Sequence, residues 1–158
     1  MATQNIIQYL ETEQYSALPG GSNVAVGVAA MNRRQVETFI ASETIAANDL
    51  VSLDLSKTSD GDKGIFVVKA DTDTATDKCA VGFALNAAEE GETVDVTIAG
   101  IHTSANVDTA TAAGDSLCVG ATDGQADVYE AGFEVPIIAI AAEAATANVA
   151  TVFVIKQF

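Results

Sequence analysis

The chain has no tryptophan, only nine aromatic residues and only seven basic residues among its 158. Nine aromatic rings are too few for the stacking platforms of a single-strand nucleic-acid binder or for a typical sugar-binding groove. The 22 acidic residues give a formal net charge of −15, which repels phosphate backbones and anionic lipid headgroups. We therefore expect neither a nucleic-acid nor a membrane partner.

Long hydrophobic runs are also missing. The apolar runs at 24–31 and 135–142 are far shorter than the ~20 residues of a membrane-spanning helix. The N-terminus lacks the basic region followed by an apolar region that is typical of a secretory signal. We therefore expect synthesis in a cytoplasm.

Chemistry-bearing side chains are few. Cys79 and Cys118 each lie in an apolar run, which predicts buried free thiols rather than a disulfide or a reactive pair. His102 is the sole histidine, so a multi-histidine metal site is excluded, and no Gly-x-Ser-x-Gly nucleophile elbow is present. We interpret His102 as a surface or rim residue at the mouth of a loop.

Acidic loops at 60–62 and 71–77 contain the oxygen ligands that Ca²⁺ prefers, but neither matches an EF-hand loop. We interpret both as solvated Asp/Thr loops. Phosphate-binding glycine motifs are absent from the sequence as well. The sequence therefore predicts no catalytic residue, no metal site and no cofactor, and the protein is not expected to be an enzyme.

From residue 37 onward, short apolar segments alternate with clusters of Gly, Asp, Asn, Ser and Thr, a pattern typical of all-β proteins. Residues 93–98 show the clearest period of two, with Val94, Val96 and Ile98 on one face. The predicted strands are 37–42, 50–55, 64–70, 79–85, 93–98, 116–120, 126–130, 134–141 and 149–156. We expect a mainly β fold, either a small β-barrel of β-tulip-like form or a sandwich, with an N-terminal extension.

A weak internal repeat indicates two related halves. Residues 44–51 match residues 110–117 at a constant offset of 66 positions, and residues 80–88 can be aligned with residues 137–145. Each match places a turn or a strand at the same point of its half. Chance similarity in a chain with 29 alanines is the alternative explanation.

Residues 1–36 differ from the rest, because they carry no net charge. A short helix is predicted at residues 6–15, ended by the Pro19-Gly20-Gly21 break. We expect residues 1–36 to form an N-terminal arm and residues 37–158 to form the β-rich domain. The arm either docks on another subunit or packs as a terminal strand on its own domain.

Five residues of this arm are candidate interaction residues. Tyr9, Leu10 and Tyr15 supply apolar surface, and Arg33 and Arg34 are the chain's only arginines. An arginine fork at the junction of arm and domain can pair with a carboxylate on a neighbouring chain. The alternative is that the pair only solubilises a linker.

Three segments, 44–54 (TIAANDLVSLD), 80–84 (AVGFA) and 87–96 (AAEEGETVDV), together with Gly100-Ile101, resemble the capsid decoration, or cement, proteins of tailed bacteriophages. The family pattern is an Ala-Gly-Asp turn, a Val-Gly-x-Ala strand, an Ala-Ala-x-Gly-Glu turn and a Val-x-Val strand. The similarity covers about residues 37–101. Asn48 replaces the usual glycine, and the arm is additional.

The resemblance implies a compact β-rich domain, commonly trimeric, on the exterior of an assembled capsid at or near its threefold axes. Its partners would be the lattice of the major capsid protein and further copies of itself, after synthesis in the host cytoplasm. The implied role is to stabilise the shell. Two alternatives remain at this point, namely a β-rich adhesive module that recognises receptors or glycans on the virion surface and a small hydrolase that uses His102.

Overall fold

The computed structural model describes residues 34–59, 61–72, 79–130 and 135–155. These residues form nine strands and contain no α-helix. The strands are β1 (Gln35–Ala41), β2 (Leu50–Leu53), β3 (Phe66–Lys69), β4 (Ala80–Ala84), β5 (Thr93–Asn106), β6 (Ser116–Val119), β7 (Ala126–Val128), β8 (Ala139–Ala141) and β9 (Val149–Val154). Within the described part of the chain, no helix is long and apolar enough to cross a membrane.

The first half of the fold is a closed five-stranded barrel. Its strands follow the order β1-β3-β2-β4-β5, and β5 pairs again with β1 to close the ring. The β1–β3 contact is parallel, whereas the other contacts are antiparallel. Closure removes the free strand edges that an open sheet would expose.

The 14-residue strand β5 belongs to both halves. Its residues 93–99 pair with β1 and β4, and its pairing with β9 begins at Gly100. Gly100 has a φ of +90°, a conformation that glycine adopts without a steric penalty. The strand therefore changes partners at this glycine and continues into the second half.

The second half is a sheet in the order β5-β9-β8-β6-β7. An isolated parallel bridge between Val107 and Ala126 joins its two outer edges. The pairing pattern repeats that of the barrel. The end of β5 takes the place of β1, while β6 takes the place of β2 and β7 that of β3. In the same way, β8 takes the place of β4, and β9 that of the start of β5. The only parallel contact in each half of the described fold is the one that involves its first and third strands.

The two halves also share the pairing register. Leu50 of β2 pairs with Phe83 of β4. At the equivalent places of the second half, Ser116 of β6 pairs with Ile140 of β8. Residues 44–51 and 110–117, which match in sequence, occupy corresponding positions in these two frameworks.

Each half has its own buried cluster. Inside the barrel lie Phe39, Ala41, Ile45, Val51, Val67, Val81, Ala84, Ala88, Val94, Val96 and Ile98. A second cluster joins the interior of the second half to four residues of the barrel, Leu50, Ala70, Ala80 and Phe83. The barrel therefore has a core of its own, whereas the core of the second half is shared with the barrel's outer face.

The predicted mainly β fold with a small barrel is confirmed. The prediction for β5 was wrong at its end, because the strand continues to Asn106 instead of stopping at 98. The prediction for β8 began too early, since residues 135–138 are not in a strand. Pro136 lies in that segment and has no backbone N–H to donate to a neighbouring strand.

Candidate interaction surface

Of the predicted interaction residues, Tyr9, Leu10, Tyr15 and Arg33 lie outside the described residues, as does the predicted helix at 6–15. Arg34 is described and is half-buried. The set of five interaction residues therefore stays a prediction. The described residues contain candidate surfaces of their own.

A row of three side chains crosses β2, β4 and β5 on the outer face of the barrel. Leu50 pairs with Phe83, and Phe83 pairs with Thr97. All three are fully buried, although the barrel's interior cluster does not include them. The second half covers this row, since Leu50 and Phe83 belong to the cluster that they share with it. We call Leu50, Phe83 and Thr97 the covered row.

The corresponding row of the second half is exposed. Ser116 pairs with Ile140, and Ile140 pairs with Phe153. Ile140 is 40% exposed and Phe153 is 48% exposed. We call Ser116, Ile140 and Phe153 the open row. Two large apolar side chains side by side at this exposure are a candidate protein-binding surface.

Backbone hydrogen bonds hold the covered row against the turn between β6 and β7. The Leu50 N–H donates to the carbonyl oxygen of Gly124 at 2.7 Å, and the Gly124 N–H donates to that of Ala70 at 2.9 Å. Gly124 has no space for a side chain, because an added Cβ would lie 2.8 Å from the carboxyl carbon of Asp49. The interface between the halves is therefore closely packed at this turn.

Polar side chains complete this interface. The Asn106 amide nitrogen donates to Asp49 Oδ1 and to the Gly124 carbonyl oxygen, both at 3.2 Å. Burial raises the pKa of the Asp49 carboxyl, although hydrogen bonds from the Ala46 N–H and Asn106 oppose the shift. Asp49 also accepts the Ala46 N–H at 3.0 Å, which fixes the turn before β2.

His102 is not a surface or rim residue, and that prediction was wrong. Its side chain is fully buried and stacks on Phe83 with ring centroids 5.4 Å apart. Nδ1 lies 3.0 Å from Thr97 Oγ1, and Nε2 lies 3.2 Å from Asn48 Oδ1. The reason is that β5 does not end before His102 but carries it into the space between the two halves. An imidazole enclosed in this way has a packing and hydrogen-bonding role.

Asn48 shows how a departure from the family pattern is accommodated. Its φ is +74°, and Gly114 at the corresponding turn of the second half has a φ of +92°. Asparagine tolerates this left-handed conformation better than most residues do. The side chain that glycine lacks is used here, because it reaches His102.

Cys79 and Cys118 are both free thiols, as predicted. Cys118 is buried, whereas Cys79 is half-buried, so the burial prediction was correct for Cys118 and too strong for Cys79. Burial and, to a smaller extent, the negative charge of Asp127 raise the pKa of the Cys118 thiol to about 11. Cys118 is therefore protonated and unreactive at neutral pH.

The acidic loops are described only in part, since Asp60 and residues 73–78 lie outside the described residues. Among the described residues, no group of three or more potential ligands is arranged to hold a metal ion.

In the turn between β2 and β3, the described residues 54–59 and 61–65 include exposed apolar side chains. Leu55 is 50% exposed and Ile65 is 44% exposed. Lys57 lies 3.5 Å from the Asp54 carboxylate and 4.5 Å from the centroid of the Phe66 ring. This turn corresponds in the fold to the β6–β7 turn that packs on the covered row.

Sequence reasoning missed both the open row and the β2–β3 turn as candidate surfaces. The residues of β9 alternate in burial, with Val149 and Phe153 outside and Ala150 and Val152 inside. The sequence contains this alternation. The missing information was the pairing of β9 with β8, which places Phe153 beside Ile140.

No protein-family model and no curated protein sequence matches this chain. A solved structure that is similar in fold is the crystal structure of the N base of the head fiber gp8.5 in bacteriophage phi29. The two share 20% sequence identity and a TM-score of 0.50, over 77% of this chain and 94% of that one. At this identity the likeness concerns the fold alone.

Proposed function

We propose that this chain is a structural virion protein that binds the exterior of an assembled phage capsid as a cement protein. In this proposal it sits as trimers at or near threefold axes and stabilises the shell. Its partners are the lattice of the major capsid protein and other copies of the chain. Its role is mechanical and involves no catalysis and no cofactor.

The observation that carries the proposal is the likeness in fold to the head-fiber base. It extends over nearly all of that chain, which is a component of a phage head by its description. The sequence pattern that resembles cement proteins also supports a role on the capsid. In the barrel, this pattern lies on the turn before β2, on β4 and on the turn into β5. Fold likeness alone does not fix function, so the assignment needs a test on particles.

Physical chemistry supports a role in shell stabilisation. A protein that binds only the assembled lattice stabilises that lattice by mass action. Contacts that clamp neighbouring shell subunits raise the barrier to rupture. A net charge of −15 keeps copies soluble at the high concentration that lattice coverage requires.

The first experiment is to count copies of this chain in purified particles of the phage that encodes it. Quantitative mass spectrometry against the major capsid protein provides the ratio. We expect a near-stoichiometric ratio. A handful of copies per particle would support an adhesive protein at a vertex or tail, and absence from the particle would contradict a virion role.

The arm forms a separate part of the proposal. We predict that deletion of residues 1–22 weakens attachment to the particle while the melting temperature of the remaining chain is retained. A pull-down on particles that lack the protein, together with thermal melts of the full chain and the deleted chain, measures the two effects. Equal loss in both measurements would contradict a docking arm.

A further inference from the structure

We propose that Asp49 is a pH-sensitive switch at the interface between the two halves of the chain, and that the interface closes more firmly when this carboxyl group is protonated. Closure covers the row formed by Leu50, Phe83 and Thr97. The inference goes beyond the proposed function and does not depend on it, because it concerns packing within one chain.

Asp49 lies where the barrel meets the second half. Its Oδ1 atom accepts a hydrogen bond from the side-chain amide of Asn106, at the end of β5, at 3.2 Å. The carboxyl group also lies against the β6–β7 turn, since a Cβ added to Gly124 would be 2.8 Å from the Asp49 carboxyl carbon. Asp49 is 8% exposed. Residues of the second half therefore enclose a carboxyl group that belongs to the barrel.

The second half has a corresponding aspartate in a more open position. Asp115 matches Asp49 at the offset of 66 positions in the internal repeat. Each carboxylate accepts the backbone N–H of the alanine three residues earlier, from Ala46 at 3.0 Å and from Ala112 at 2.8 Å. Asp49 is buried, whereas Asp115 is half-buried. The two carboxyl groups share a local turn and differ in what covers them.

The surroundings of Asp49 favour its neutral form. Burial penalises the ionised carboxyl and so raises its pKa. Hydrogen bonds from the Ala46 N–H and from Asn106, together with the charge of Lys69, oppose this shift, and the charge of Glu43 adds to it. Further titratable groups on the elements that meet here are Asp71 after β3, His102 on β5, Asp108 after β5 and Asp123 in the β6–β7 turn.

Proton linkage gives the direction of the switch. When the interface opens, water reaches the Asp49 carboxyl and its pKa returns toward the ordinary 3.8. The closed form therefore binds the proton more tightly than the open form does, so that a lower pH favours closure. This gain is complete below about pH 4 and is lost as the pH rises through the raised pKa of the closed form.

Backbone hydrogen bonds across the interface provide the signal to be measured. Three N–H groups donate to carbonyl oxygens of the other half over distances between 2.7 and 3.0 Å, namely those of Leu50, Gly124 and Asn106. Amide hydrogens exchange with solvent slowly while such bonds are closed and faster when the region opens. Their protection against exchange therefore reports how often the interface opens.

The test compares the wild-type chain with Asp49→Asn and with Asp115→Asn as the matched control. Asparagine has nearly the shape of a protonated aspartate and does not titrate. Circular dichroism melts establish that each variant is folded. Because His102 is present in all three chains, the ratio of wild-type protection to variant protection at each pH isolates the substituted carboxyl.

Hydrogen exchange between about pH 4 and about pH 7, corrected for the intrinsic pH dependence of the exchange rate, measures this ratio. We expect the ratio of wild type to Asp49→Asn at the three interface amides to rise as the pH falls. The rise should be about tenfold for each unit by which burial raises the pKa of Asp49. A ratio that stays constant with pH, or an equal rise for Asp115→Asn, would overturn the inference.

A carboxyl titration of the wild-type chain by carbon NMR gives a result that needs no variant. The midpoint for Asp49 should lie above 3.8 and above the midpoint for Asp115. A midpoint for Asp49 at or below that of Asp115 would contradict the switch, whatever the variants do.

The exchange data also decide whether the interface opens separately from unfolding. The N–H of Ala41 donates to the carbonyl oxygen of Glu92 at 2.9 Å within the barrel and serves as the reference. It should be more strongly protected than the interface amides, because opening of the interface leaves the barrel intact. Equal protection would mean that the halves separate only when the whole chain unfolds, and would overturn a switch at the interface.

Discussion

The two halves of the molecule share strand order and register but differ in what lies against their outer faces. In the barrel, Phe83 is fully buried beneath the second half, whereas its counterpart Ile140 is 40% exposed. One framework therefore provides either a core position or an exposed position, depending on what covers it. Burial at a given position of this fold is set by the arrangement of the halves as much as by the strand itself.

The interiors differ as well. At several positions where the barrel has a large side chain, the second half has a small one. Phe39 corresponds to Ala105, and Val94 corresponds to Ala150. The second half compensates by sharing a cluster with Leu50 and Phe83 of the barrel. It follows that the second half depends on the barrel for its packing.

The largest expected effect comes from truncating the shared cluster. Phe83→Ala should lower the free energy of unfolding by about 3 to 5 kcal/mol, because it removes a fully buried aromatic ring and leaves a cavity. Ile140→Ala, at the corresponding exposed position, should cost less than about 1 kcal/mol. Urea unfolding of both variants provides the comparison. Equal losses would show that the two rows are not as different as their exposures indicate.

A second effect concerns the histidine between the halves. His102→Ala should lower the free energy of unfolding by about 2 to 4 kcal/mol, because it removes packing on Phe83 and leaves polar groups of Thr97 and Asn48 without this partner. The exposed neighbour Thr103 is the control, and Thr103→Ala should change stability by less than about 0.5 kcal/mol. Thermal melts measure both, and an unchanged melt for His102→Ala would contradict a structural role.

Much of this fold could be predicted from local patterns. The period of two at residues 93–98 indicated β5, and the glycine- and aspartate-rich turns separated the strands as they do in the structure. These signals are local because alternating burial and turn conformation depend on neighbouring residues. The ends of strands were harder to predict, because a glycine such as Gly100 is found both where a strand bends and where a strand ends.

The candidate surface could not be predicted in the same way. Whether an outward-facing side chain such as Phe83 or Phe153 is covered depends on how the two halves of the chain pack, and no local pattern encodes that packing. His102 illustrates the same limit, since a histidine after an alternating strand is equally compatible with a loop and with a buried junction. Only the tertiary arrangement brings Asn48, which is 54 residues away in sequence, to its ring.

The smallest predicted effect concerns a difference between the β2–β3 turn and the corresponding β6–β7 turn. Asp54 begins the β2–β3 turn and accepts the Ser56 N–H at 2.9 Å and the Ser56 hydroxyl at 2.6 Å, whereas Gly120 stands at the corresponding place in the second half. Burial raises the pKa of the Asp54 carboxyl, but the Ser56 hydrogen bonds, with smaller contributions that include the charge of Lys57, outweigh it and lower the pKa to about 2. The turn of the barrel is therefore stabilised by an ionised group that the corresponding position of the second half lacks.

A carboxyl whose pKa is lower in the folded chain than its ordinary 3.8 stabilises the fold above that value, and the stabilisation is lost as the pH falls to about 2. Asp54→Ala should therefore lower the free energy of unfolding by about 2 kcal/mol at neutral pH, with a difference from wild type that shrinks below about pH 4. Asp123→Ala, an exposed carboxylate in the β6–β7 turn, is the control and should cost less than about 0.5 kcal/mol. Urea unfolding between neutral pH and pH 2 measures the difference. A gap between Asp54→Ala and wild type that stays constant over this range would mean that the side chain acts through shape rather than charge, and the two turns would then differ in geometry alone.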